Sequence, residues 1–245
     1  MAITNEKVIF GEERDDLIDG DFIESIKIYM YDITSESTNI ITEWDERTSP
    51  NRYPKPTEKP VANGNFVAYT VSNSSYCSGY IEIYNINTEE KIQITPPDVG
   101  PIFDMNGDEI FYVACSPTNF DQSWSTYYIY NFLTGESKMI RFEESQNSIN
   151  NQTNSEISSF GVSSWINHGQ VESDYVFFKK DANSNKIIAF DRNLEKYVLL
   201  TLYVQAGYFE SEENKVCFIA SDFNIYCHNY DSNYSYSTLE SQFPN

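Results

Sequence analysis

The sequence predicts an all-β chain of tandem four-stranded antiparallel units, and three observations predict it. The first is the stretch Tyr80–Pro96. Ile81 and Ile83 alternate with polar and aromatic residues, a polar turn follows at 87–90, and Ile92 and Ile94 resume the alternation, as in a hairpin with period-2 side chains on both arms. The second is the Asn63-Gly64 pair ahead of Phe66–Val71, a strong short-range hairpin signal. The third is recurrence. An aromatic–Asx step stands at Tyr31-Asp32, Tyr84-Asn85, Tyr130-Asn131, Phe190-Asp191 and Tyr230-Asp231, spaced about 40 to 60 residues apart. Five four-stranded units at that period predict a five-bladed β-propeller; the alternative is a piece of a larger propeller of six or seven blades. With 19 Tyr and 16 Phe among 245 residues, the chain is rich in side chains suited to sheets covered on both faces.

The blades are expected at 1–43, 59–96, 101–142, 160–202 and 207–239, within a single domain of 1–245. Blade one opens with Ala2–Thr4, turns at Asn5-Glu6, and continues as Lys7–Glu13. Arg14–Glu24 reads as an acidic loop before the third strand, Ile26–Tyr31, and the fourth, Asn39–Thr42. Trp44–Lys59 carries Pro50, Pro54 and Pro56, with Pro60 just beyond, and reads as an extended linker outside any ladder. Blade three turns at Asn106-Gly107, and Leu133–Glu136 joins its last two strands. Glu143–Ser159 is polar and reads as a flexible insertion. Blade four is expected to start with Phe160–Asn167 and blade five with Gly207–Glu210, closing with Tyr234–Leu239.

Net charge is −21. Such a surface repels phosphate backbones and anionic lipid, which argues against nucleic-acid and membrane-surface partners. No apolar run of about 18 residues spans a membrane. The first residues lack the basic and apolar regions of a signal peptide, while the polar composition leans towards an exported or cell-surface protein. Cys77, Cys115, Cys217 and Cys227 form no CxxC or zinc spacing. Cys115 and Cys217 sit in expected strands among apolar residues and read as buried thiols; Cys217 and Cys227 fall on two arms of one hairpin, where a cross-strand disulfide is the alternative, although most strand registers hold the sulfurs too far apart.

The residues Asn63–Tyr69, Ile81–Ile86 and Ile92–Thr95 resemble the TolB-like propeller repeat: a turn glycine, a short β run, an I-Y-x-Y-D strand and a closing x-x-L-T. Ile28–Asp32 with Ile40–Thr42 is similar to it, and Leu199–Thr201 less closely. The W-S-P-D-G first-strand signature is absent. The resemblance implies the fold; it implies little about activity, because such propellers include interaction modules, surface proteins and a few enzymes.

Ligands of propellers sit over the central channel, beside the first strands. The candidate residues there are Asp104, Trp165, Asn167, His168, Tyr208 and Glu210. Asp104 and Glu210 would serve as a glycosidase acid/base pair, and Trp165 and Tyr208 as stacking platforms for a sugar. His168, before Gly169, reads as a turn residue. Carboxylates in 12–21, 181–185 and 231–233 invite Ca²⁺, but Lys186 stands where an EF-hand loop needs glycine, so these read as turns and no cofactor is expected. The expectation is a non-catalytic propeller that binds a protein partner or builds a surface assembly. The alternative is a propeller that binds a glycan or cleaves a glycoside at the channel mouth.

Overall fold

The computed structural model describes residues 1–18, 21–49, 53–57, 59–73, 79–114, 126–141, 168–179, 187–193, 196–201, 209–212, 215–219 and 225–229. These form five antiparallel sheets, and no other regular element occurs among the described residues. The first contains β1 (Ala2–Thr4), β2 (Lys7–Ile18), β3 (Asp21–Asp32) and β4 (Ser37–Asp45), in that order. The second contains β5 (Lys55–Pro56) and β6 (Val61–Asn63), both paired with β7 (Phe66–Ser72), then β8 (Gly79–Asn85) and β9 (Lys91–Ile94). The third is β10 (Val99–Asn106), β11 (Glu109–Ala114), β12 (Thr126–Asn131) and β13 (Ser137–Arg141). The fourth is β14 (His168–Val171), β15 (Tyr175–Lys179), β16 (Ile187–Asp191) and β17 (Lys196–Thr201). The fifth is β18 (Phe209–Glu212), β19 (Lys215–Ile219) and β20 (Ile225–Asn229). The sheets divide between two compact units, the first three in one and the last two in the other.

The recurring Asx has a structural cause. It ends the third strand of its sheet and closes the turn that follows. Oδ1 of Asp32 accepts the amides of Thr34 and Ser35, at 2.9 and 3.0 Å. Oδ1 of Asn131 accepts those of Leu133 and Thr134, and Asn85 does the same for Asn87 and Thr88. Asp191 accepts the amide of Asn193 at 2.9 Å. Such Asx turns hold the chain in a bend that a following hairpin arm requires. The next residue then ties the two turns of the sheet together. Ile33, Ile86, Phe132 and Arg192 donate their amides to the carbonyls of Glu6, Asn65, Asp108 and Asp174 in the first turns, at 2.8 to 3.0 Å. The sequence repeat is therefore a repeated pair of linked turns.

Asp32 is a charged member of this set and is ion-paired. Lys7 Nζ donates to Asp32 at 2.5 Å, and with the amides of Ser35 and Thr34 it holds the carboxyl at about 2. Asp45 is held at about 2 by Arg47. A folded-state value below the unfolded value near 4 gives stability that is present above about pH 4 and lost as pH falls towards 2. The denaturant midpoint is therefore expected to fall between pH 4 and 2. Asp32→Asn should flatten part of that fall, which chemical denaturation across this pH range measures.

Alternation along the second sheet buries both of its faces. Val67, Tyr69 and Val71 of β7, with Tyr84 and Ile86, pack against Ile9, Ile28, Met30 and Ile41 of the first sheet. Ala68, Ile81 and Ile83 point the other way and pack against Val99, Ile102, Met105, Ile110 and Tyr112 of the third. This is propeller-type stacking of blade on blade. The first strands of these three sheets adjoin one another. Thr4 Oγ1 donates to Gly64 O at 2.7 Å, and Gly107 N donates to Asn63 Oδ1 at 3.1 Å. On the far side of the third sheet, Phe103, Phe111 and Tyr127 make a ring cluster with centroids 5.7 to 6.1 Å apart.

In the second unit, Val171, Val176, Phe177, Ala189 and Phe190 are buried. Its two first strands are joined by side chains: Ser211 N donates to Gln170 Oε1, and Ser211 Oγ donates to Glu172 Oε1 at 2.7 Å. Cys217 is disulfide-bonded and not the buried thiol expected, because Cys227 stands directly opposite it in the β19–β20 register.

Several expectations are corrected. Arg14–Ile18 and Asp21–Glu24 are strand and not loop: the β2–β3 ladder runs on through Leu17–Phe22 to Ile18–Asp21. The proline-rich linker does join a ladder, since β5 pairs with β7 through Lys55–Ser72 and Pro56–Val71. Proline needs no amide partner on an edge strand. At the Asn63-Gly64 turn, Asn63 is the last strand residue, paired with Phe66, and Gly64 takes the left-handed position at φ 56°. His168 opens β14 instead of lying in a turn, and the first strand of the fourth sheet is His168–Val171. Of the expected strand Gly207–Glu210, residues 209–210 lie in β18, and 207–208 lie outside the described residues. The expected strands at 160–167 and 234–239 and the insertion 143–159 lie outside the described residues.

Candidate functional site

Of the channel-mouth residues, Asp104 lies in β10, His168 in β14 and Glu210 in β18, each the first strand of its sheet. Trp165, Asn167 and Tyr208 lie outside the described residues. Asp104 is half-buried and sits opposite Phe111 at a register shift in the β10–β11 ladder. It belongs to the first unit, whereas His168 and Glu210 belong to the second.

A different surface is built from β2 and β3. Both strands have 12 residues, while β1 has 3 and pairs only with Lys7–Ile9, and β4 pairs with β3 only as far as Ser25. The pairs Asp15–Glu24, Asp16–Ile23, Leu17–Phe22 and Ile18–Asp21 therefore continue as a two-stranded ribbon beyond the sheet. Strand alternation gives the ribbon two distinct faces.

One face continues the buried interface between the first two sheets. Ile28 and Ile26 are fully buried on it, and Trp44, opposite Ile26, is buried too. Lys55 of β5 lies 5.7 Å over the Trp44 ring, is hydrogen-bonded to Glu24, and stands 3.8 Å from Glu13. A cation placed over an indole and beside carboxylates clamps the linker to the base of the ribbon. Past this clamp the same face is uncovered: Leu17 is 64% and Phe22 73% exposed. The other face is ion-paired. Arg14 lies 2.6 Å from Glu12 and Lys27 lies 2.6 Å from Glu43. The hydrogen bond from Arg14, with one from Tyr29, holds the Glu12 carboxyl below its usual value. Among the described residues no group of three metal-ligating side chains forms.

Sequence reasoning missed Leu17, Phe22, Trp44 and Lys55 as surface-forming residues. The signal was present in the strand-like spacing of Leu17 after Asp15 and Phe22 before Glu24, but the density of acids reads as loop.

No family model and no curated protein matches the chain. Solved structures do. The acylaminoacyl peptidase of Pyrococcus horikoshii is matched with a TM-score of 0.54 and 12% identity, over 88% of this chain and 33% of that one. The β-propeller domain of the Trilobed protease from Pyrococcus furiosus is matched at 0.51 and 10% identity, over 95% of this chain and 68% of that one. TolB from Acinetobacter baumannii is matched at 0.48 and 14%, over 84% of this chain and 50% of that one. At these identities the likeness shows the fold alone. The chain has a β-propeller fold, and among the described residues three of its antiparallel sheets have four strands. The chain spans about half the length of that TolB structure.

Proposed function

We propose that this chain is a non-catalytic protein-interaction module, and that the β2–β3 ribbon is its contact surface. The observation that carries the reading is the uncovered Leu17–Phe22 pair, directly opposed on a ribbon that projects past its own sheet and continues a packed interface. Exposed aliphatic and aromatic side chains on a projecting ribbon supply the buried centre that a protein contact needs, and the surrounding carboxylates supply a polar rim. A photo-crosslinking residue at Phe22, compared with one at Asn39 of β4, tests this in extracts of the source organism. Defined protein adducts from position 22 alone are the expected result; equal or absent adducts would reject it.

Glycan binding is the second reading; Asp104 stands on the first strand of the third sheet, and His168 and Glu210 on the first strands of the fourth and fifth. Glycan-array binding lost on Asp104→Ala would establish it. Export to an oxidising compartment is also proposed, supported by the Cys217 disulfide. Mass mapping without reductant should recover a 217–227 linked peptide.

A further inference from the structure

Beyond Ile9, among the described residues, no strand pairs with the β2 edge that β1 covers only briefly. Arg14–Ile18 is exposed throughout while its opposite edge is fully laddered to β3. An exposed strand edge is a template for a further strand, because its amides and carbonyls on that side have no ladder partner. The side chains on this edge decide which strand it accepts. Asp15 and Leu17 point to the face that carries Phe22, and Asp16 and Ile18 to the other. Like charges directly opposed across a ladder are unfavourable, whereas opposite charges are favourable. A second copy of this chain would bring the same acidic edge and a net charge of −21. Anionic lipid is repelled on the same ground.

We propose that the Arg14–Ile18 edge of β2 accepts an extended cationic segment of a partner protein as an added strand. Its Lys or Arg side chains would lie opposite Asp15 and Asp16, and its apolar side chains would cover Leu17. This rests on the ribbon being the interaction surface, and it names the chemistry of what binds there.

The probes are three synthetic peptides of about eight residues: one repeating Lys-Lys-Val-Ile, so that successive lysines meet Asp15 and Asp16 on the two faces and the apolar pair meets Leu17 and Ile18, one repeating Glu-Glu-Val-Ile, and the Lys peptide N-methylated on alternate backbone amides. The full chain should bind the Lys peptide and not the Glu peptide. Binding should weaken at least tenfold with the combined Asp15→Asn and Asp16→Asn changes, and at least tenfold with the N-methylated peptide. Hydrogen exchange should slow at residues 14–18 in the complex, a readout independent of whether the variants are altered elsewhere. Equal binding of the N-methylated and unmodified peptides would show charge attraction without strand addition and overturn the proposal, as would absence of Lys-peptide binding. If crosslinks at position 22 still form in either case, the interaction surface stands and only the partner chemistry fails.

Discussion

Tyr69→Ala is expected to destabilise the first unit by about 3–5 kcal/mol, the cost of truncating a large buried aromatic. Tyr69 is fully buried in the core between the first two sheets. Its hydroxyl donates to Glu82 and accepts from Lys91 Nζ at 3.1 Å, while Lys91 pairs with Glu82 at 2.7 Å. Burial, and then the Glu82 hydrogen bond, push the phenol's pKa far up, so it remains a donor at all ordinary pH. Tyr69→Phe keeps the ring and leaves Glu82 its lysine, so it should cost only about 1–2 kcal/mol. Urea denaturation of both variants separates packing from hydrogen bonding. A loss below about 1 kcal/mol for Tyr69→Ala would mean that this face of the second sheet is not a core.

Ile83→Ala is expected to cost about 2–5 kcal/mol, and Ile92→Ala about 0.5 kcal/mol or less. The two residues are direct partners across the β8–β9 ladder. Ile83 is fully buried against the third sheet, whereas Ile92, one strand further out, is 47% exposed. The same residue type in the same register thus differs only in how deeply its strand lies between neighbouring sheets. Equal costs in denaturation would contradict that gradient.

Much of this gradient was legible in the sequence, and particular residues show why. The Asx positions stood out because a turn of this type needs a short side-chain acceptor at one place, whatever the surrounding loop does. Tyr and Phe on both sides of the alternation announced sheets covered on two faces. The proline linker misled because proline forbids a central strand but tolerates an edge, and Lys55-Pro56 takes an edge. The ribbon was hidden for a related reason. Its strands gain nothing from burial at the tip, so the carboxylates that normally mark loops occupy strand positions there. The clamp of Lys55 on Trp44 and Glu24 joins residues separated along the chain, and no local pattern announces such a contact. Asp104 and Glu210 were placed on first strands by the repeat alone, whereas His168 read as a turn residue, and repeat position does not specify what a side chain binds.

The account depends on the second sheet being packed on both sides, since that interface is what the ribbon extends. Thiol labelling of Val67→Cys and Ala68→Cys, neighbours whose side chains face opposite sheets, tests it most directly. Peptide mapping should show both cysteines unreactive in the folded protein, beside rapid labelling of Ile92→Cys. Rapid labelling at either 67 or 68 under native conditions would show a face open to water and contradict the stacking of blade on blade.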